Sequence, residues 1–408
     1  MGAGGQADAA ALTDVDRFAK GPPHAVFDEL RAQPPADTGL GPEGNRMWSV
    51  CSHAAIAAAS RDTATFSSYA AGIFPHSDQV NPLDVNRNLL LFKDPPEHTK
   101  YRKILQTAFV PRSVAALEDR VREIVTEVLD AVIEGGRCDF VTDVAVPIPL
   151  RVLAGLMGVP DSDLPKMEDW ITRTEEAQIS TEPAAALPVL GEMSAYLAEQ
   201  IAVQKEAGGE SLVTTLAGAE VDGERLTDVE ILVFFALLVF AGNDTTRNTM
   251  SGGMRALLDH PDQLELLARE PHRIELAIEE ILRWTSVVNY FCRTATASTE
   301  LGGREIDAND KVMLWYAAGS RDPEVNDDPH TFDVTRDEPT HMAFGGGGRH
   351  FCLGAGLARL ELRVAFEEIL RRLSDIRLAG EPEHLQSNWA NGLTALPIEF
   401  QPASKELN

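Results

Sequence analysis

Four consecutive glycines, residues 345–348, stand just ahead of Cys352 in the stretch HMAFGGGGRHFCLGAG. A cysteine on a glycine-rich turn immediately before a helix sits where backbone N–H groups and the positive helix end both favour a thiolate. A free thiol ionises near ~8.5, so a site that keeps sulfur anionic needs a metal or such donors, and this loop would supply donors to a metal-bound sulfur. Taken alone, a flexible linker with an incidental cysteine explains the stretch equally well. A phosphate cradle is a further competitor, but no Lys-Ser/Thr follows the glycines and the GxGxxG spacing is absent.

Three further groups carry chemical potential. AGNDTT, residues 241–246, sets Asp244 beside Thr245 in a strongly apolar stretch, next to Gly242, which weakens a helix. An acid and an alcohol at a helix distortion could relay protons to something bound alongside. The plainer reading, and for a lone DTT the favoured one, is a threonine bonded to its own helix beside a salt-bridged aspartate. EEILR places Glu280 and Arg283 on one helical face, as a pair of a kind usually found solvated at a surface. DPPEHTKYRK opens a helix with prolines and presents His98 and Arg102 at i, i+4, two cationic donors on one side that capping and surface charge would explain equally well.

The elements that must position these groups are mostly helical. Thr227 with Glu230 makes a capping box, and the pattern runs without proline to about His260 before Pro261. At ~1.5 Å per residue that is a rod on the order of 50 Å, and its apolar first half must run through the interior. A second helix begins just after Cys352, with Leu362, Phe366, Ile369 and Leu373 on one face. Short strands are expected near residues 47–51 and in NYFCRTAT, KVMLWYAA and ALPIEF. The fold class is mainly α with a small β region, one domain over residues 1–408 with residues 1–20 as a flexible arm.

Composition narrows the function. A formal net charge of −27 argues against nucleic acid or an anionic membrane as the main partner. The longest apolar run, residues 231–241, is shorter than the roughly 20 residues that span a bilayer, so no membrane anchor is expected. The N-terminal stretch lacks the basic and apolar regions of a signal peptide, which points to the cytoplasm. Cys51, Cys138, Cys292 and Cys352 are scattered and form no CxxC pair, so neither a disulfide framework nor a structural zinc site is indicated.

In this order along the chain, the four motifs resemble the cytochrome P-450 superfamily of haem-thiolate monooxygenases, over about residues 94–400. The aromatic that usually lies seven residues before the cysteine is replaced by Gly345, with Phe344 one position earlier. The resemblance implies the P-450 fold, a triangular prism holding haem b between the long central helix and the helix after the cysteine loop. It implies Cys352 as the iron ligand, with the glycines admitting amide donors to its sulfur, and His98, Arg102, Arg293 and His350 as partners of the haem propionates. Asp244 and Thr245 correspond to the acid–alcohol pair that delivers protons during oxygen activation. Glu280 and Arg283 correspond to a structural pair whose usual third partner, an arginine just before Phe332, is Thr331 here.

By the same analogy Leu90, Leu91, Leu237, Phe240, Ala241, Val287, Val288, Tyr290, Trp389 and Ala390 wall the substrate site, an apolar lining that suits a terpenoid, steroid or other lipid. The implied reaction inserts one oxygen atom of O2 into a C–H bond, with electrons from a separate ferredoxin and ferredoxin reductase, in a monomer. Arg112, Arg349, Arg359 and Arg363 would offer a local basic face to that partner. Alternatives on the same cofactor are phenol coupling, C–C cleavage, or a haem sensor without turnover, which would have no need of the Asp244–Thr245 pair.

Overall fold

The capping box at Thr227 forms as its spacing predicts: the Thr227 hydroxyl accepts from the Glu230 N–H at 3.3 Å while the Glu230 carboxylate takes the Thr227 N–H at 2.8 Å. From there one helix runs unbroken over Asp228–Asp259, and His260 and Pro261 end it. The polar patch at residues 241–246 does not interrupt it. In the computed structural model, which describes residues 9–40, 44–75, 86–179, 187–208 and 211–405, this helix packs against helices Pro147–Met157, Leu187–Ala207, Ile274–Thr285 and Ala355–Arg372. Among the described residues it alone has the length and hydropathy to cross a bilayer, and here it is the central element of the protein core.

The helix after the cysteine loop spans Ala355–Arg372, and the stripe of Leu362, Phe366, Ile369 and Leu373 is buried as its period requires. It lies on Glu118–Val132, to which Arg122 and Arg363 stitch it through Glu118, Glu367 and Glu368. Glu361 on this helix is buried at 3 % exposure with one carboxyl oxygen unpartnered, and burial pushes its carboxyl up to about 8. The folded protein therefore keeps a proton that the unfolded chain releases near its ordinary 4.5, so this residue lowers stability as pH rises from 4.5 to about 8. At ~1.4 kcal/mol per pH unit, Glu361→Gln should be more stable than the parent by about 3 kcal/mol near neutrality, with no difference below pH 4.5. Urea melts at pH 4.5 and 7.5 check this; an equal difference at both would mean that the carboxyl is ionised in the fold.

The β region is one five-stranded sheet with small satellites. Its strands are β1 (Ala36–Leu40), β2 (Arg46–Val50), β3 (Phe66–Ser67), β4 (Tyr290–Ala295) and β5 (Lys311–Trp315), in the order β1-β2-β5-β4-β3. β5 runs parallel to β2, and the other pairs are antiparallel. Alternation divides β5: Val312 and Leu314 join Trp48 and Val50 in one core cluster, while Met313 and Trp315 join Met47, Tyr290 and Cys292 in another. ALPIEF splits into Leu393–Ala395 and Pro397–Glu399, which belong to two different small sheets.

Within the arm expected over residues 1–20, the described residues pack against the core. Ala9, Leu12 and Phe18 are buried in the cluster around Trp315, and Phe18 stacks on that ring at 6.0 Å. Residues 1–8 lie outside the described residues. Apolar side chains among Gly, Ala and Asp carried the packing information that low complexity obscured.

Candidate functional site

The cysteine loop closes on itself where the Cys352 N–H donates to the Phe344 carbonyl at 3.0 Å. Gly345, Gly347 and Gly348 hold φ of +92°, +88° and +76°, which suits glycine alone. A Cβ on Gly346 would lie 2.3 Å from the Ser60 hydroxyl, and one on Gly348 would lie 2.6 Å from the Ser60 carbonyl. The glycines thus let the loop lie against the end of helix His53–Arg61. The amides that act on the sulfur are those of Gly354 and Ala355, at the head of the following helix, where the sequence placed the positive helix end. Burial pushes the Cys352 thiol up, and these amides with Arg102 and Arg359 pull against it.

Phe344 stands one position before Gly345 in the loop. It is buried, meets Phe351 edge-on at 6.1 Å, and carries the Arg359 guanidinium over its face at 4.5 Å. Arg359 also grips Glu279 through two hydrogen bonds, 2.6 and 2.8 Å, and Glu279 meets His341 at 3.0 Å. Cys352 keeps accessible surface although protein surrounds it, as do Ala241 and Gly242 halfway along the central helix. Exposure at these positions is unusual for elements that otherwise form the core.

Four basic side chains, two arginines and two histidines, converge beside the cysteine. The rings of His98 and His350 lie 4.3 Å apart, and the Arg102 Nη2 donates to the Phe351 carbonyl at 2.7 Å. Arg293, on the interior strand β4, spends one donor on the Cys292 carbonyl at 2.7 Å and leaves its buried Nε unpartnered, as His98 leaves its Nδ1. Burial first, then Arg102, Arg349 and Arg293, push the His98 ring down to about 4, and His350 is held well below its ordinary value by burial, Arg293, His98 and Arg102. The charged groups acting on these two neutral rings are the arginines Arg102, Arg293 and Arg349. Pooled positive charge with orphaned donors is a site for a buried anion, and a porphyrin with two carboxylates beside a cysteine sulfur fits it.

Along the central helix, the Thr245 hydroxyl donates to the Ala241 carbonyl at 2.8 Å and Asp244 is ion-paired with Arg247. This is the plainer of the two arrangements weighed for the DTT motif, and it keeps both groups at the half-buried face next to exposed Ala241. Glu280 and Arg283 form a bidentate pair at 2.6 and 2.7 Å with no side-chain exposure at all, far from the solvated pair that the motif alone suggests. Arg283 also donates to the Pro329 and Thr331 carbonyls at 2.8 and 3.0 Å. The third partner absent at Thr331 is Arg336, whose Nε lies 3.4 Å from Glu280. Sequence reasoning missed it because it looked for the cation before Phe332, whereas the loop returns it from beyond.

Of the expected walls, two distant segments meet, while Leu90, Leu237 and Phe240 pack in a separate cluster. Val288 and Ala390 form an isolated bridge, and the Asn289 N–H donates to the Trp389 carbonyl at 2.8 Å. Leu91, Leu237, Phe240 and Trp389 are half-buried and Leu90 is buried. Tyr290 is a correction: strand alternation turns it into the core, against Trp315 at 4.6 Å, and its neighbour Phe291 takes the other face. Phe291 meets Phe74 at 6.0 Å and Trp389 at 6.2 Å, and Phe74 meets Phe92 at 6.3 Å and Trp389 at 5.8 Å. Phe74, Phe92 and Phe291 were not named from the sequence beside Trp389; the β-period of NYFCRTAT held the signal for Phe291. The expected basic face is also thinner than its sequence, since Arg359 and Arg363 are paired to carboxylates and only Arg112 and Arg349 of the four stand exposed.

Comparison with known proteins shows the family. A family model, Cytochrome P450, matches residues 198–401. A steroid C26-monooxygenase of Rhodococcus jostii (strain RHA1) is 37 % identical, over 96 % of this chain and 85 % of the relative. A methyl-branched lipid omega-hydroxylase of Mycobacterium bovis is 36 % identical, over 88 % of this chain and 85 % of its own. Among solved structures, Mycobacterium marinum cytochrome P450 CYP268A2 in complex with pseudoionone superposes with a TM-score of 0.86 at 35 % identity, covering 94 % of this chain and 96 % of that one.

Proposed function

The chain belongs to the cytochrome P450 family, a haem b monooxygenase acting on hydrophobic substrates, and on that premise we propose that it hydroxylates an aliphatic C–H bond of a steroid or methyl-branched lipid. Cys352 is the iron ligand in this reading, and His98, Arg102, Arg293 and His350 receive the propionates. When bound through a thiolate, the haem supplies an electron-rich iron that activates dioxygen. The residues of the chain do the rest: the apolar walls hold the substrate and exclude water, and Thr245 and Asp244 manage protons. For delivery, the Thr245 Oγ1–H must turn from the Ala241 carbonyl toward the site, and Asp244 must swing from Arg247 to resupply it. Electrons come from a separate ferredoxin and its reductase in the bacterial cytoplasm, to a monomer.

The observation that supports the substrate class is the aromatic and aliphatic wall of Phe74, Phe291, Val288 and Trp389, which offers rings and methyl groups to whatever it encloses. The test pairs binding with turnover. A steroid and a methyl-branched fatty acid are titrated into the holoenzyme, spin state is read in the visible spectrum, and product is identified for the parent and for Thr245→Ala. We expect a spin-state change in both proteins, a hydroxylated product from the parent, and about 10²-fold less product per electron consumed in the variant, the low end of what positioned proton transfer contributes. Full coupling in Thr245→Ala would remove the proton role, and no spectral change with either lipid class would remove the substrate reading.

A further inference from the structure

We propose that Lys311 is a positioning residue for substrate selection, a buried ammonium that fixes residues 71–75 and thereby sets Phe74 in the aromatic wall. The inference rests on the reading that this wall meets the substrate.

Lysine is rarely fully buried, because its ammonium must find partners for three donors. Lys311 sits at 2 % exposure at the start of β5, paired with Thr294 of β4 on one side and Met47 of β2 on the other. By strand alternation it shares a face with Met313 and Trp315. Its Nζ donates to the carbonyls of Ala71 at 2.8 Å, Phe74 at 2.6 Å and Pro75 at 3.1 Å. Those residues belong to neither helix nor strand, so no ladder of their own holds them. A second tie, the Cys292 N–H to the Ile73 carbonyl at 2.7 Å, comes from the adjacent strand. One of the acceptors is thus the peptide of Phe74 itself, whose ring touches Phe92, Phe291 and Trp389 from three other segments. A methionine would fill the same space without the donors, so the charge contributes the hold on this segment and the stem contributes the packing.

The test uses azoles that coordinate haem iron whatever the natural substrate is, so its outcome is independent of the lipid assays above. Dissociation constants of imidazole and of the bulky clotrimazole are measured spectrally for the holoenzyme, Lys311→Met, Lys311→Gln, Phe74→Ala and the Lys311→Met/Phe74→Ala double variant. Imidazole, which reads access to iron alone, should bind all five within about twofold. Clotrimazole affinity should change by about tenfold in Lys311→Met, the scale of one aromatic contact. Phe74→Ala should show the same change, the double variant no further change, and Lys311→Gln, which retains an amide donor, a smaller one. Unchanged clotrimazole binding in Lys311→Met, additive effects in the double variant, or failure of both Lys311 variants to fold with haem would overturn the proposal, the last by making Lys311 a folding residue. Loss of lipid hydroxylation with the azole pattern intact would instead count only against the substrate reading.

Discussion

Cys352→Ser should abolish monooxygenase activity and remove the red-shifted carbonyl absorption of the ferrous protein, while leaving the polypeptide folded. Serine keeps the N–H bond to the Phe344 carbonyl and the small volume at the head of helix Ala355–Arg372, so the exchange isolates the sulfur. A hydroxyl near the Gly354 and Ala355 amides is not ionised as a thiol is, and it cannot donate charge to iron as a thiolate does. The other cysteines offer no substitute, because burial pushes the thiols of Cys51, Cys138 and Cys292 up to about 12. The carbonyl spectrum of purified, haem-supplied variant is the measurement. A retained red-shifted band would show that the iron takes its ligand elsewhere.

Glu280→Ala should destabilise the protein by about 3–5 kcal/mol, the cost of leaving one member of a buried ion pair without its partner. The stranded group would be Arg283, fully enclosed, with only the carbonyls of Ser320, Pro329 and Thr331 left to it. Glu280 also accepts the Asp333 N–H at 2.9 Å, so the same change loosens the loop that leads to the cysteine. Arg336→Ala should cost less, because that cation is not fully enclosed and keeps a longer contact to Glu280. Denaturant midpoints and the rate of haem transfer to apomyoglobin check the pair. A Glu280→Ala protein as stable as Arg336→Ala would mean that Arg283 finds new partners and that the helix pair is not the anchor.

Much of this was legible in residue order. The capping box at Thr227, the apolar stripe from Leu362 to Leu373 and the motifs around His98, Asp244, Glu280 and Cys352 are local patterns, and local patterns survive in one dimension. What escaped were choices made by partners far along the chain. Whether Tyr290 or Phe291 faces the site depends on the register of β4 against β5, about twenty residues away. The role of the four glycines depends on Ser60, nearly three hundred residues earlier, whose backbone they approach. Arg359 and Arg363 read as free basic charge until folding brings Glu279, Glu118 and Glu367 beside them.

The cradle beside Cys352 draws His98 and Arg102 from one end of the chain and Arg293 and His350 from the other, and the Arg102 contact to Phe351 spans 249 positions. During synthesis, then, most of the polypeptide must leave the ribosome before any place for the prosthetic group exists. Pigment uptake becomes a late event in biogenesis, gated by contacts of very high sequence separation, which form slowly. Until then the polypeptide carries its basic residues and its hydrophobic central segment unprotected. Supply of porphyrin near the end of translation, rather than at its start, would govern the yield of coloured protein.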